Sequence, residues 1–203
     1  MKNTEIVAHE SYPDTHHDAY SKTVFGFWVY LLTDFVLFAT FFATYAVLRT
    51  SVYGGPSARE IFNLDGALIQ MLVMLVCSFT MGMAGATVHR KKKNATILLM
   101  IITFLLGMAF MWMEASDFTR LIQDGNTWKR SAFLSAYYTL IGTYALHMVF
   151  ALLWIFVLIG ALIKESDVDN ASIRRVTCLR MFWQFLSIIW SFIFTIVYFM
   201  GEY

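Results

Sequence analysis

Apolar residues in this chain run on without alternating, which is the pattern of helices solvated by lipid rather than of a soluble domain with two faces. Residues 25–48 (FGFWVYLLTDFVLFATFFATYAVL) carry one charge, Asp34, and four more stretches of the same kind follow. The five expected spans are 23–48, 66–88, 94–113, 131–163 and 181–201. Each reaches the roughly 20 residues that a membrane-crossing helix needs. The fourth is longer than a bilayer requires, so it should tilt or project. The expected fold class is an all-α membrane protein, a bundle of five transmembrane helices over residues 23–203 behind a polar tail at 1–22.

Lys and Arg counts in the flanks orient such a bundle. Lys2, Lys22, Arg90, Lys91, Lys92, Lys93, Lys164, Arg174, Arg175 and Arg180 fall on one side. Arg49, Arg59, Arg120, Lys129 and Arg130 fall on the other. The expectation is a cytoplasmic amino terminus and a periplasmic carboxyl terminus. The tail lacks the basic start and short apolar core of a secretory signal. His9, His16 and His17 within it read as solvated residues rather than a metal site. Gly54-Gly55-Pro56 in the first external loop is a turn sequence.

Composition narrows the function classes. The chain has 203 residues, is 59 % hydrophobic and carries a formal net charge of +1, which gives no electrostatic case for nucleic acid. Cys77 and Cys178 stand far apart and read as packing residues. The chain contains no Walker loop, Rossmann glycine pattern, H-E-x-x-H or nucleophile elbow, so no catalytic, cofactor-binding or metal residue is assigned.

The polar residues inside the spans carry what chemistry there is. Nine residues in from Phe25, Asp34 lies roughly 14 Å deep, near mid-bilayer. A charge there costs roughly 2.5–3.5 kcal/mol on insertion scales, so such an acid faces protein or water and points to function. Tyr30, one turn earlier, is placed to donate a hydrogen bond to it. Glu114 is expected at the external interface, where hydration is easy. His147 is too deep to pair with His89, the other histidine near a span, so a haem ligand is not expected. Ser78, Gly82 and Ala86 recur every four residues and mark an expected close helix contact. Ser135, Thr139, Thr143 and His147, and Gln184, Ser187, Ser191 and Thr195, form polar stripes read as interhelical hydrogen bonding.

Those residues resemble subunit III of the haem–copper terminal oxidases, most nearly the five-helix form of the cytochrome o type ubiquinol oxidase. The resemblance rests on Gly26-Phe27-Trp28-Val29-Tyr30-Leu31 with Asp34, Phe38–Tyr45, and Gly54-Gly55-Pro56 with Ile61-Phe62. It continues through Met113-Glu114 with Phe118, Phe133-Leu134-Ser135-Ala136, Gly142-Thr143 with Leu146-His147, and Phe182-Trp183 to Met200-Gly201. Where the family commonly reads G-T-H-G-L-H, this chain has Tyr144 and Ala145; where it reads W-H-F-L-D, this chain has Gln184 and Ser187.

The resemblance implies a non-catalytic subunit in a bacterial cytoplasmic (inner) membrane. It would pack against a subunit I that holds haem and copper, alongside subunits II and IV, with no cofactor of its own. Quinol would bind elsewhere in the complex, while this chain would stabilise subunit I, bind phospholipid and support proton uptake. Asp34 would be the family's intramembrane carboxylate, with Glu114 and His147 as further polar support. Tyr30, Ser78, Gly82, Gln184 and Ser187 would serve packing or subunit contact. The same subunit of a cytochrome c oxidase, and an independent proton-linked transporter using Asp34, are the alternatives.

Overall fold

The structure, a computed structural model, describes residues 19–165 and 167–202. The tail histidines His9, His16 and His17 lie outside the described residues. Among the described residues, five helices are long and apolar enough to cross a membrane. They are α1 (Ala19–Leu48), α3 (Leu64–His89), α4 (Lys93–Gln123), α5 (Ala132–Lys164) and α6 (Asn170–Ile193), the last extended by a π-helical turn at Phe194–Phe199. Two short helices, α2 (Ala58–Ile61) and α7 (Met200–Glu202), meet at the bundle end opposite the basic Arg90–Lys93 link.

Helix ends depart from the apolar runs because caps, not hydropathy, decide them. Helix α4 continues ten residues past Met113 and stops at a glycine device. Gly125 takes φ 75°, its N–H donates to the Ile122 carbonyl, and the Asn126 N–H reaches back to the Leu121 carbonyl at 2.9 Å. Helix α6 begins eleven residues before Met181, where the Asp169 carboxylate accepts the Ser172 N–H at 2.7 Å. That backbone hydrogen bond holds the Asp169 carboxyl below its ordinary range. In the first loop Gly54 adopts φ 75°, and a Cβ on Gly55 would lie 2.9 Å from the Val52 carbonyl oxygen.

The helices close into a ring in the order α1, α5, α4, α3, α6, and α6 also packs across the ring against α5. Within its apolar window α6 is 56 % buried and α1 only 22 %, so α6 is the inner helix and α1 the outer one. Trp183, Trp190, Phe182 and Ile193 of α6 are fully enclosed, whereas α1 exposes Phe25, Trp28, Leu32, Val36 and Val47. The basic end gathers the α3–α4 and α5–α6 connections, and the other end gathers the remaining loops.

Close approach occurs where the small-residue stripe does not point. Gly82 has open space at its missing side chain and Ala86 is exposed, so Ser78–Gly82–Ala86 is not the packed face of α3 in this chain. The tight contacts are at Gly85, where a Cβ would run into the Arg180 side chain, and at Gly107. A Cβ on Gly107 would sit 2.9 Å from both Leu152 Cδ2 and Trp183 Cη2. Gly107→Ala should therefore lower stability by about 1–3 kcal/mol, the usual range for overpacking, while Gly82→Ala should be tolerated. Denaturation midpoints in detergent measure both; equal midpoints for the two variants would contradict this packing.

Candidate functional site

Asp34 and His147 are brought together at mid-bundle, between α1 and α5. The Asp34 carboxyl is buried, and its Oδ2 lies 3.9 Å from His147 Nε2. That separation is longer than a hydrogen bond, so the two form an acid–base pair through space. The other imidazole nitrogen, Nδ1, is 2.8 Å from the Thr143 carbonyl oxygen. A carbonyl only accepts, so Nδ1 carries the hydrogen and Nε2 presents its lone pair to Asp34 when the ring is neutral. Phe38 and Phe182 flank the ring, with centroids at 5.2 and 6.4 Å.

Tyr30 stands one turn before Asp34 on α1 and is exposed, with its ring 5.6 Å from that of Phe27. Tyr30 and His147 also line a surface groove of about 380 Å³ with Leu146, Val149, Phe150 and Leu153. The pair therefore sits just behind an apolar surface. It can hold a proton and exchange it between a carboxyl and an imidazole.

The other polar residues are distributed differently. Glu114 does not close its helix: α4 runs on to Gln123, and the residue is 1 % exposed. Gln184 faces outward into a groove between α1 and α6 lined by Trp28, Leu31, Phe35 and Phe185. Ser187 is buried and donates to the Trp183 carbonyl at 3.0 Å. Ser78 and Gly82 are half-buried on α3.

The hydroxyl stripes mostly bond their own backbones. Thr139, Ser191 and Thr195 each donate to the carbonyl four residues earlier, the local alternative always open to Ser and Thr in a helix. Ser191 also approaches Met71 Sδ at 3.8 Å. Apart from His147 and this Ser191 contact, the polar links between helices come from residues outside those stripes. Thr80 meets Thr103 at 2.8 Å, Thr87 meets Thr96 at 3.0 Å, and Tyr137 meets Tyr198 at 3.2 Å. Gln70 Nε2 donates to Asp117 Oδ2 at 3.0 Å. A lone amide inside an apolar run and an acid one turn after Glu114 were the signals for that last link.

Fold and site together define an integral-membrane helical bundle whose polar residues can hold protons and fasten helices. The sequence profile of the family described as cytochrome c oxidase subunit III matches residues 2–202. The chain is 46 % identical to cytochrome bo(3) ubiquinol oxidase subunit 3 of Pseudomonas aeruginosa, covering 93 % of this chain and 90 % of that protein. It is 34 % identical to quinol oxidase subunit 3 of Bacillus subtilis, covering 88 % and 87 %. It is 38 % identical to cytochrome c oxidase subunit 3 of Bacillus sp. PS3, covering 87 % and 84 %. The chain belongs to the cytochrome c oxidase subunit III family.

An apolar carbodiimide, which reaches carboxyls from the lipid side, should modify α1 at Asp34. The label should vanish in Asp34→Asn and survive in Glu114→Gln, as read by peptide mass spectrometry. An unlabelled α1 in the wild type would count against an Asp34 reachable from the groove.

Proposed function

We propose that this chain is the non-catalytic subunit III of a proton-pumping haem–copper quinol oxidase, which passes electrons from quinol to oxygen. The observation that carries the reading is the 46 % identity to a ubiquinol oxidase subunit 3 along almost the whole five-helix bundle. The chain is a multi-pass protein of the bacterial inner membrane, with its amino terminus in the cytoplasm by the Lys and Arg asymmetry. Its partner is a subunit I that holds the haem and copper, and subunits II and IV complete the assembly. Helix α1, the least covered of the five, has the surface such a partner or lipid would cover.

Its role is to stabilise subunit I, bind lipid and support proton uptake. Two adjoining grooves of about 260 and 250 Å³ follow the α1–α6 seam, sharing Phe35. They lead to a cavity of about 360 Å³ with Arg49 and Arg59 in its lining, joined to them through Ile196. An apolar track ending at two guanidinium groups fits an anionic phospholipid, acyl chain along the seam and phosphate at the arginines. The Asp34–His147 pair supports proton handling at mid-membrane.

A second reading keeps the subunit and changes the electron donor to cytochrome c, favoured by the 38 % identity to the cytochrome c oxidase subunit of Bacillus sp. PS3.

The tagged chain, purified in mild detergent, should bring haem with it and show quinol-driven oxygen uptake. Oxygen uptake driven by cytochrome c instead would select the second reading, and a colourless preparation would overturn both. Arg49→Gln with Arg59→Gln should strip an anionic phospholipid seen by native mass spectrometry of the wild type; retention of that lipid by the double variant would refute the headgroup assignment.

A further inference from the structure

Glu114 stands in a second polar centre that the Asp34–His147 pair does not reach. Among the described residues, neither of its carboxyl oxygens has a hydrogen-bond partner. The same holds for Gln70 Oε1 on α3, the Tyr144 hydroxyl on α5 and Trp190 Nε1 on α6. All four residues are at most 1 % exposed. Their places agree: the ring of Tyr144 lies 6.1 Å from that of Phe110 and 5.0 Å from that of Trp190. Phe110, one turn before Glu114, packs edge-on against Trp190 at 4.8 Å. Gln70 is tied to Asp117, one turn after Glu114, by its amide nitrogen, which leaves its oxygen free.

Buried polar groups in native proteins are almost always satisfied by protein or by ordered water. The chemistry of the unpaired atoms selects between the possible guests. The Gln70 oxygen accepts only, the Trp190 N–H donates only, and a phenol does both. A metal cation would suit the oxygens and be repelled by the indole hydrogen, whereas water donates and accepts. The titratable groups facing Glu114 are Asp117 on its own helix, Tyr137 and Tyr144 on α5, and Tyr198 at the end of α6. None of them supplies a positive charge.

We propose that Glu114 is the base of an internal water site that holds an exchangeable proton. The half-buried Asp117, bonded to Gln70, stands between Glu114 and the bundle end that carries the α4–α5 connection. The proton moves between the Glu114 carboxyl and the adjoining water, so no other reactant is needed.

Radiolytic hydroxyl-radical footprinting of the assembled complex tests this, because radicals formed from ordered internal water oxidise the side chains touching it. Tyr144 should be oxidised at a dose that leaves Met100, equally buried and chemically easier to oxidise, unmodified. Most of that oxidation should be lost in Glu114→Leu. Tyr144 no more oxidised than Met100, or unchanged in Glu114→Leu, would overturn the water site, and the first comparison needs no variant. Wild type minus Glu114→Gln infrared spectra should show one carboxylic-acid C=O band that shifts in D2O. No such band, or one indifferent to D2O, would overturn the proton assignment. Both readouts belong to this chain's own residues and stand whichever electron donor the assembly uses.

Discussion

In the hydrocarbon of a membrane each backbone N–H and C=O must find its partner inside its own helix, and that constraint governs everything else in this bundle. Once the backbones are satisfied, lipid is as good a neighbour for a leucine as another helix is. Assembly then falls to close packing and to a few polar links. Helix α6 concentrates the first: Trp183 presses on Gly107 of α4, and Arg180 lies across Gly85 of α3. Trp190 receives the edge of Phe110 and faces Tyr144. The α3–α4 hairpin concentrates the second, with two threonine pairs and the Gln70–Asp117 bond stacked along one seam.

The five helices, and Asp34 as an isolated acid inside the first of them, were legible in the sequence, because run length and a lone charge are one-dimensional properties. Helix ends were less so. The Asp169 cap and the Gly125 turn lie in polar segments that a hydropathy reading treats as outside the membrane, yet they set where α6 starts and α4 stops. Spacing misled in a different way. A repeat of four shows that Ser135 and Thr139 share a face, but not whether a hydroxyl reaches a neighbour or its own turn. The local carbonyl, already in place, wins that competition at Thr139 and Ser187. Likewise the stripe Ser78–Gly82–Ala86 has, among the described residues, open space at Gly82 and an exposed Ala86.

The Asp34–His147 pairing could have been read from depth. Each residue lies fifteen positions from the start of its helix, and α1 and α5 run in opposite directions, so both fall at mid-bundle. What depth could not supply was adjacency, since α1 and α5 are far apart in sequence and neighbours only because the ring closes there. Glu114 was misplaced for the opposite reason. Its distance from the end of an apolar run suggested an interface, whereas α4 continues and the residue is buried.

The two acids show how one substitution in the family pattern changes local chemistry. Where the family commonly has a histidine, this chain has Tyr144, fully buried with its ring 6.1 Å from that of Phe110, one turn before Glu114. An imidazole there would give Glu114 a base, as His147 gives one to Asp34. A phenol cannot take up a proton near neutral pH, so Glu114 is left with a second acid, Asp117, and with hydroxyls, an amide and an indole, none of them a base like imidazole. Gln184 and Ser187 extend the same change: one faces the α1–α6 groove, and the other turns back on its own helix. The chain thus keeps one acid–base pair at its lipid- or partner-facing edge and replaces ionisable groups inside with neutral ones. A buried acid with no imidazole or amine beside it depends on water for its exchange, which is why the hydration of Glu114, more than its charge, decides what the inner site can do.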